Sequence, residues 1–218
     1  MTAPADEVKE RDICVGMTDD QLADLGLDYI AKGWPVLVIK FAKLATKIEK
    51  TPTTPHGHHD ATLNCSVLIE QIDAARRRLK GIPLGIGAVP GPAGHVTVDY
   101  DTKNGARGGD QLERHRATYG DVVDRVSYTS ISGAINVILR KPQTLTAIAK
   151  TSPWPDVDVL ADSGRIVPPG NWCPWGSWDW RSGDLDDLDD AVMPVEMFEE
   201  LKAAGDTESG PATSAEVE

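Results

Sequence analysis

Cysteine is scarce in this chain: three residues, Cys14, Cys65 and Cys173, lie far apart among 218. An odd number with no C-x-x-C pair excludes a disulfide framework or a zinc ribbon as the organising device. A reducing cytoplasm is the expected compartment. No apolar run approaches the roughly 18 residues that a membrane helix needs. The opening "MTAPADEVKE" is too polar and acidic to read as a signal or transit peptide. No membrane partner is expected.

Positive charge is also short, with 22 Lys and Arg against 34 Asp and Glu and a net charge of −12. That total argues against nucleic acid until its distribution is considered. Residues 183–218 hold twelve acidic residues and one basic residue, Lys202, whereas residues 1–182 hold 22 acidic and 21 basic. The body is nearly neutral, and its basic residues cluster. Lys40, Lys43, Lys47 and Lys50 form one group; Arg76, Arg77, Arg78 and Lys80 a second; Arg107, Arg114 and Arg116 a third. Such patches attract phosphates even on an acidic protein. Each is equally what a solvated helix face looks like.

Thr18 and Gln21 in "TDDQ" form a capping-box pattern, and the apolar spacing after them predicts a helix stopped by Gly33. "WPVLVIK" (34–40) predicts a strand. Residues 41–64 read as one long loop, a length usually functional or disordered. A helix is expected over 66–80 with Gly81 as its stop. "PLGIGAV" and "HVTVDYD" read as two strands. Asp110 caps a short helix ending near Gly120. Strands follow near 125–130 and 135–140, a short helix over 144–150, and a hairpin-like pair from "DVDVLA" and "GRIVPPG". This order is α+β, with a mixed or antiparallel sheet and helices on one side.

The stretch "GHVTVDYDTKNG" (94–105) carries the sharpest chemical signal. In a strand, residues i and i+2 share a face, so Asp99 and Asp101 project together where the strand ends. Two close carboxylates repel, and one pKa rises unless a cation lies between them. Mg²⁺ and Mn²⁺ favour carboxylate oxygens completed by substrate phosphates. Asp158 in "PDVDVLADSG" is the best third acid; Asp156 shares its face, and Asp162 follows in a turn. A lone D-x-D pair is also what strand ends and turns contain.

Other stretches have competing readings. "GIGAVPG" is similar to a dinucleotide fingerprint, but a strand follows it where a helix should begin. "HGHHD" suits zinc by ligand type, yet three histidines on one short loop rarely complete a tetrahedral site, so a structural or substrate-contacting loop is the stronger reading. "NWCPWGSWDW" holds four of the six tryptophans. Core packing is expected of them, with base stacking as the alternative.

Several of these stretches, in order, resemble one family: the bifunctional primase–polymerase (prim-pol) domain of the archaeo-eukaryotic primase superfamily, found in phage and plasmid replication proteins. "YIAKGWPVLVI" looks like its opening helix and strand, and "TPHGHHDAT" like its characteristic loop. "GIGAVPGPAGHVTVDYDTKNGARGG" looks like the strand pair bearing the first acidic motif. "SISGAIN" takes the place of its serine-glycine-glycine-x-histidine motif. "VDVLADSGRIVPPGN" looks like the segment with the third acid and a proline turn. The resemblance covers about residues 20–180.

The resemblance implies an RNA-recognition-motif-like (RRM-like) catalytic sheet packed against a small N-terminal α/β unit. The corresponding limits are an extension over 1–17, a catalytic domain over 18–182, and an acidic segment over 183–218 with a helix near 194–203 and then a disordered linker. The resemblance implies template-directed nucleotidyl transfer, with primase and polymerase activity, using a two-metal site for Mg²⁺ or Mn²⁺. Asp99, Asp101 and Asp158 match the metal ligands. Ser132, Asn136, Arg165, Lys50 and His56 are the expected nucleotide contacts, and Arg76, Arg77, Arg78 and Arg107 the expected DNA contacts. Nucleoside triphosphates, single-stranded or primed template DNA, and a helicase C-terminal to this segment are the implied partners.

One position departs from the family pattern: Asn136 stands where the family usually has histidine. An amide donates a hydrogen bond but carries no charge, and charge-assisted bonds are about twice as strong. Arg140, Lys141 or Arg165 are the available compensating cations. The competing readings are therefore a non-catalytic relative that binds DNA and positions a helicase, and a different metal-dependent phosphotransferase or nuclease. Retention of all three acids favours the enzyme.

Overall fold

The computed structural model describes residues 16–103, 105–142, 151–161 and 164–208. The expected N-terminal extension up to residue 15, the helix expected over 144–150, Asp162 and the tail from 209 lie outside the described residues.

The chain opens with α1 (Asp19–Ala31), whose Thr18/Gln21 capping box forms as the sequence predicts. Strand β1 (Val36–Lys43) follows, then β2 (Ile48–Pro52). Helix α2 (Cys65–Arg78) is capped by the Asn64 side chain, which accepts from Ser66 and Val67. Strand β3 (Leu84–Ala88) completes a three-stranded antiparallel sheet in the order β2-β1-β3. Helices α1 and α2 pack together on it, burying Leu22, Tyr29, Leu68 and Ile72.

The long loop expected over 41–64 is not a single loop. Lys47 and Leu44 close a tight turn, and β2 pairs back along β1 from Lys43↔Ile48 to Ile39↔Pro52. The strand is hidden in the sequence because it is an edge strand whose Glu49 remains exposed. No apolar alternation marks it.

Beyond β3 come β4 (His95–Tyr100), α3 (Gly108–Tyr119), β5 (Ser127–Thr129), β6 (Ile135–Arg140), β7 (Thr151–Trp154), β8 (Val157–Leu160), the short pair β9 (Trp172–Cys173) and β10 (Gly176–Ser177), and β11 (Asp179–Ser182). Helix α4 (Val195–Glu208) ends the described chain. A six-stranded sheet runs β11-β5-β6-β4-β8-β7, all pairings antiparallel. This is the mixed α+β architecture expected, with a large antiparallel sheet and a smaller N-terminal unit.

Strand β4 is central, and its two faces have different neighbours. Tyr100 points to α3, where its hydroxyl meets His115 Nδ1 at 2.7 Å. On the opposite face, His95 accepts from Trp34 of the N-terminal unit at 3.2 Å. Alternation puts Asp99 on that second face, at the seam between the two units. The segment 166–171 stitches the seam. Ala88 and Ile166 exchange backbone hydrogen bonds, and the buried Asn171 side chain bonds both backbone groups of Ile86.

The acidic segment after 182 is not a solvated linker at its start. Leu188, Met193, Met197, Phe198 and Leu201 are buried in the common core. Helix α4 continues to Glu208, past the expected end near 203. Met197, Phe198 and Leu201 recur at helical spacing and bury, while Glu196, Glu199 and Glu200 remain outside.

Candidate active site

Sheet register builds the site. Asp99 lies directly opposite Asp158 of β8 and, on its other side, opposite Asn136 of β6; Asn136 in turn faces Tyr128 of β5. Directly opposed residues share a face and hold their Cβ atoms about 5 Å apart. One row across the sheet therefore reads Tyr128, Asn136, Asp99, Asp158. Asp101 lies just beyond β4, and its backbone is held from both sides: its N–H donates to Asp156 O, and its carbonyl accepts from Gly108, both at 2.9 Å.

A Cβ at position 108 would lie 2.3 Å from Asp101 O and 2.6 Å from its nitrogen. Glycine there lets the start of α3 press against the acidic loop. Gly87 has the corresponding role at the seam, where a Cβ would lie 3.3 Å from the Arg165 side chain. Gly85 and Gly87 of "GIGAVPG" thus serve close packing rather than a dinucleotide.

The two halves of the cleft differ in charge. One end, of about 180 Å³, is lined by Asp99, Asp101, Asp156, Asp158, Lys103 and Trp154. The other, of about 120 Å³, takes in Lys50, Ser130, Ser132, Asn136, Arg165 and Trp178. Asp99 and Lys103 belong to both. Burial raises the Asp99 carboxyl to about pH 6, with Asp158 and Asp101 adding to the rise and Lys50 and Lys103 opposing it. Asp99 Oδ1 is buried with no hydrogen-bond partner in the protein. Burial also lowers Lys50, whose ammonium stands 5.9 Å over the Trp178 ring, and Arg165. Arg165 donates one Nη to the Lys50 carbonyl at 3.0 Å, while its other Nη is buried without a partner.

Among the described residues, no group of three or more His, Cys, Asp or Glu side chains is gathered closely enough to enclose a metal ion. The donor chemistry nevertheless fits a hard divalent cation. The acidic end offers carboxylate oxygens and one buried oxygen lacking any partner. Mg²⁺ typically takes one or two carboxylates and completes its shell with water and phosphate. Asp99, Asp101 and Asp158 are the residues that would hold it.

The other expected residues distribute unevenly. Ser132, Asn136, Arg165 and Lys50 do converge on the cleft. His56 does not border it and instead pairs with Asp60 at 3.0 Å, because the turn Gly57–Asp60 folds the loop back on itself. His58 is the histidine electrostatically coupled to Arg165, and burial pushes it down. Arg76 is engaged with Asp19 and the Met17 carbonyl, and Arg78 with the Thr53 carbonyl. Arg77 and Arg78 border a groove on α2 rather than the cleft. Arg107 stands at the acidic end, 3.9 Å from Asp156.

Asp156 does not share the face of Asp158 by strand alternation, since it sits in the β7–β8 turn with φ +60°. Sequence reasoning did not single out Lys103, Ser130, His58 or Trp154. Lys103 lies two residues after Asp101, Ser130 in "SISGAIN" and His58 in "HGHHD", so only Trp154 lacked a local signal.

No curated protein matches the chain. Residues 26–213 match the family model described as bifunctional DNA primase/polymerase, N-terminal, which covers most of the sequence and extends through α4. With the acidic row and the basic cleft beside it in view, this match over most of the chain places it in the bifunctional DNA primase/polymerase N-terminal domain family.

Proposed function

We propose that the cleft joins nucleotides to a growing strand on a DNA template, with divalent cations held by Asp99, Asp101 and Asp158. The observation that carries this reading is the charge division of one cleft about Asp99. Asp99 keeps one buried oxygen without a partner beside the carboxylates of the acidic end, and Lys50 and Arg165, the latter with one Nη lacking a partner, line the other. Bound cations would supply charge neutralisation at the attacking and leaving oxygens of phosphoryl transfer.

The chain's own residues do the positioning. Lys50 and Arg165 attract the triphosphate in a partly desolvated cleft, where their charge is less screened. Ser130 and Ser132, whose hydroxyls lie 2.9 Å apart, offer hydroxyl contacts beside them. The Asn136 amide donates only a long 3.4 Å bond to the Ala134 carbonyl, leaving it available to the nucleotide. In this reading the protein serves phage or plasmid replication in the host cytoplasm, with a helicase as a partner. No helix among the described residues is long and apolar enough to cross a membrane.

Asn136 favours a second reading, a relative that binds DNA but turns over weakly, because the amide brings no charge to the phosphates. Primer extension separates the two. A primed single-stranded template with deoxynucleotides and Mg²⁺ or Mn²⁺ is expected to be extended by the wild type and not by Asp99→Ala/Asp101→Ala. DNA binding without extension in either metal would establish the second reading.

A further inference from the structure

Asp156 is the one non-glycine residue with positive φ among the described residues, at +60°. An L-residue in this region gives up roughly 1 kcal/mol, and glycine would hold the turn at no such cost. Asp156 nevertheless makes contacts through both its backbone and its carboxylate. Its carbonyl accepts from Asp101 N–H at 2.9 Å. Its Oδ2 accepts from Arg107 N–H at 2.8 Å and stands 3.9 Å from Arg107 Nε. Arg107 is the residue that caps α3 and has no side-chain cap bond of its own. One residue thus grips both ends of the loop 101–107, whose first member is the loop carboxylate of the acidic cleft.

We propose that Asp156 is a positioning residue. Its carboxylate ties the start of α3 to the β7–β8 turn and thereby sets Asp101 against Asp99 for cation binding. Asp101 is the member that needs such a clamp, because it lies outside β4 and no sheet register fixes it. Gly108 presses from the α3 side, Asp156 holds from the turn, and the Lys103 N–H donating to Asp101 Oδ1 at 3.0 Å then orients the carboxylate. Partners of this kind, one step removed from a metal, typically change its affinity 10- to 100-fold when removed. The inference rests on the acidic cleft being a cation site.

The test uses the full chain and its Asp156→Gly and Asp156→Asn variants. Mn²⁺ binding is followed by electron paramagnetic resonance, the Arg107 amide by hydrogen exchange, and stability by thermal unfolding. Asp156→Gly relieves the backbone and is expected to unfold no earlier than the wild type. It should bind Mn²⁺ about 10-fold more weakly and lose protection at Arg107. Asp156→Asn keeps an acceptor oxygen and is expected to restore both readings.

Wild-type Mn²⁺ affinity in Asp156→Gly overturns the proposal. So does an Asp156→Asn variant that keeps Arg107 protected yet binds Mn²⁺ as weakly as the glycine variant, since the charge itself would then be a ligand. A wild type that binds no Mn²⁺ removes the cation-site reading and with it the metal part of the proposal. Lost Arg107 protection in Asp156→Gly would still establish the clamp in that case, and retained protection would overturn it.

Discussion

Asp99 has a buried oxygen with no partner, and its environment favours the protonated form. Its folded pKa of about 6 lies above the roughly 3.9 of an exposed aspartate. The folded state therefore holds this proton more tightly than the unfolded chain. The resulting stability is complete below about pH 4 and is lost as pH rises through 6. Asp99→Asn does not titrate. With divalent ions chelated, the stability difference between variant and wild type should move in favour of Asn by about 2 kcal/mol from pH 4 to pH 7. Denaturant unfolding at pH 4, 5.5 and 7 measures it, and a difference independent of pH would sink the assignment. At this scale the three acids were legible from chain spacing and family resemblance. His58 was not, because only the fold shows that His58, rather than His56, lies near Arg165.

Elements were legible where an apolar period or a cap marked them, as in α1, β1, α2 and β4. They were not where pairing alone creates them. The exposed β2 edge is one such case, and the sheet order is another. Nothing local tells β8 to lie beside β4 and place Asp158 opposite Asp99. The α3 start is intermediate: Asp110 is the cap expected from sequence, whereas the helix begins at Gly108 with Arg107 at the cap, and Gly108 is a contact surface. Gly108→Ala puts a methyl 2.3 Å from the Asp101 carbonyl oxygen, which is backbone and cannot swing aside. Forced overpacking of this kind costs about 1–3 kcal/mol. The expected result is a lower unfolding midpoint together with lost primer extension. Gly109→Ala is the control, since a Cβ there meets nothing within 4 Å. Equal behaviour of the two variants would show that α3 does not press on the acidic loop.

For the whole molecule, charge and core lead to different domain limits. The excess of acid after 182 suggests a solvated appendage, since charge runs usually face water. Yet the same segment contributes Leu188, Met193, Met197, Phe198 and Leu201, each at most 2% exposed, to the shared core. The acidic residues cover the outside of a structural piece. Lys32 of the N-terminal unit meets Asp186 at 2.7 Å, and Arg140 of β6 donates to the Asp189 carbonyl at 2.9 Å. Met193 N–H also donates to the Arg140 carbonyl, which ties the segment to the central sheet. Fully burying one such apolar side chain contributes about 1.5–3 kcal/mol. Five of them together are on the scale of the 5–15 kcal/mol that separates folded from unfolded in a typical domain. A chain cut after Ser182, the boundary that charge alone suggests, is therefore expected not to fold cooperatively. Near-ultraviolet circular dichroism and thermal unfolding of the truncated and full chains decide this. A sharp unfolding transition at the full-length midpoint would mean that the core closes without α4. Its absence would make the acidic segment part of the folded unit, which is also where the family match runs.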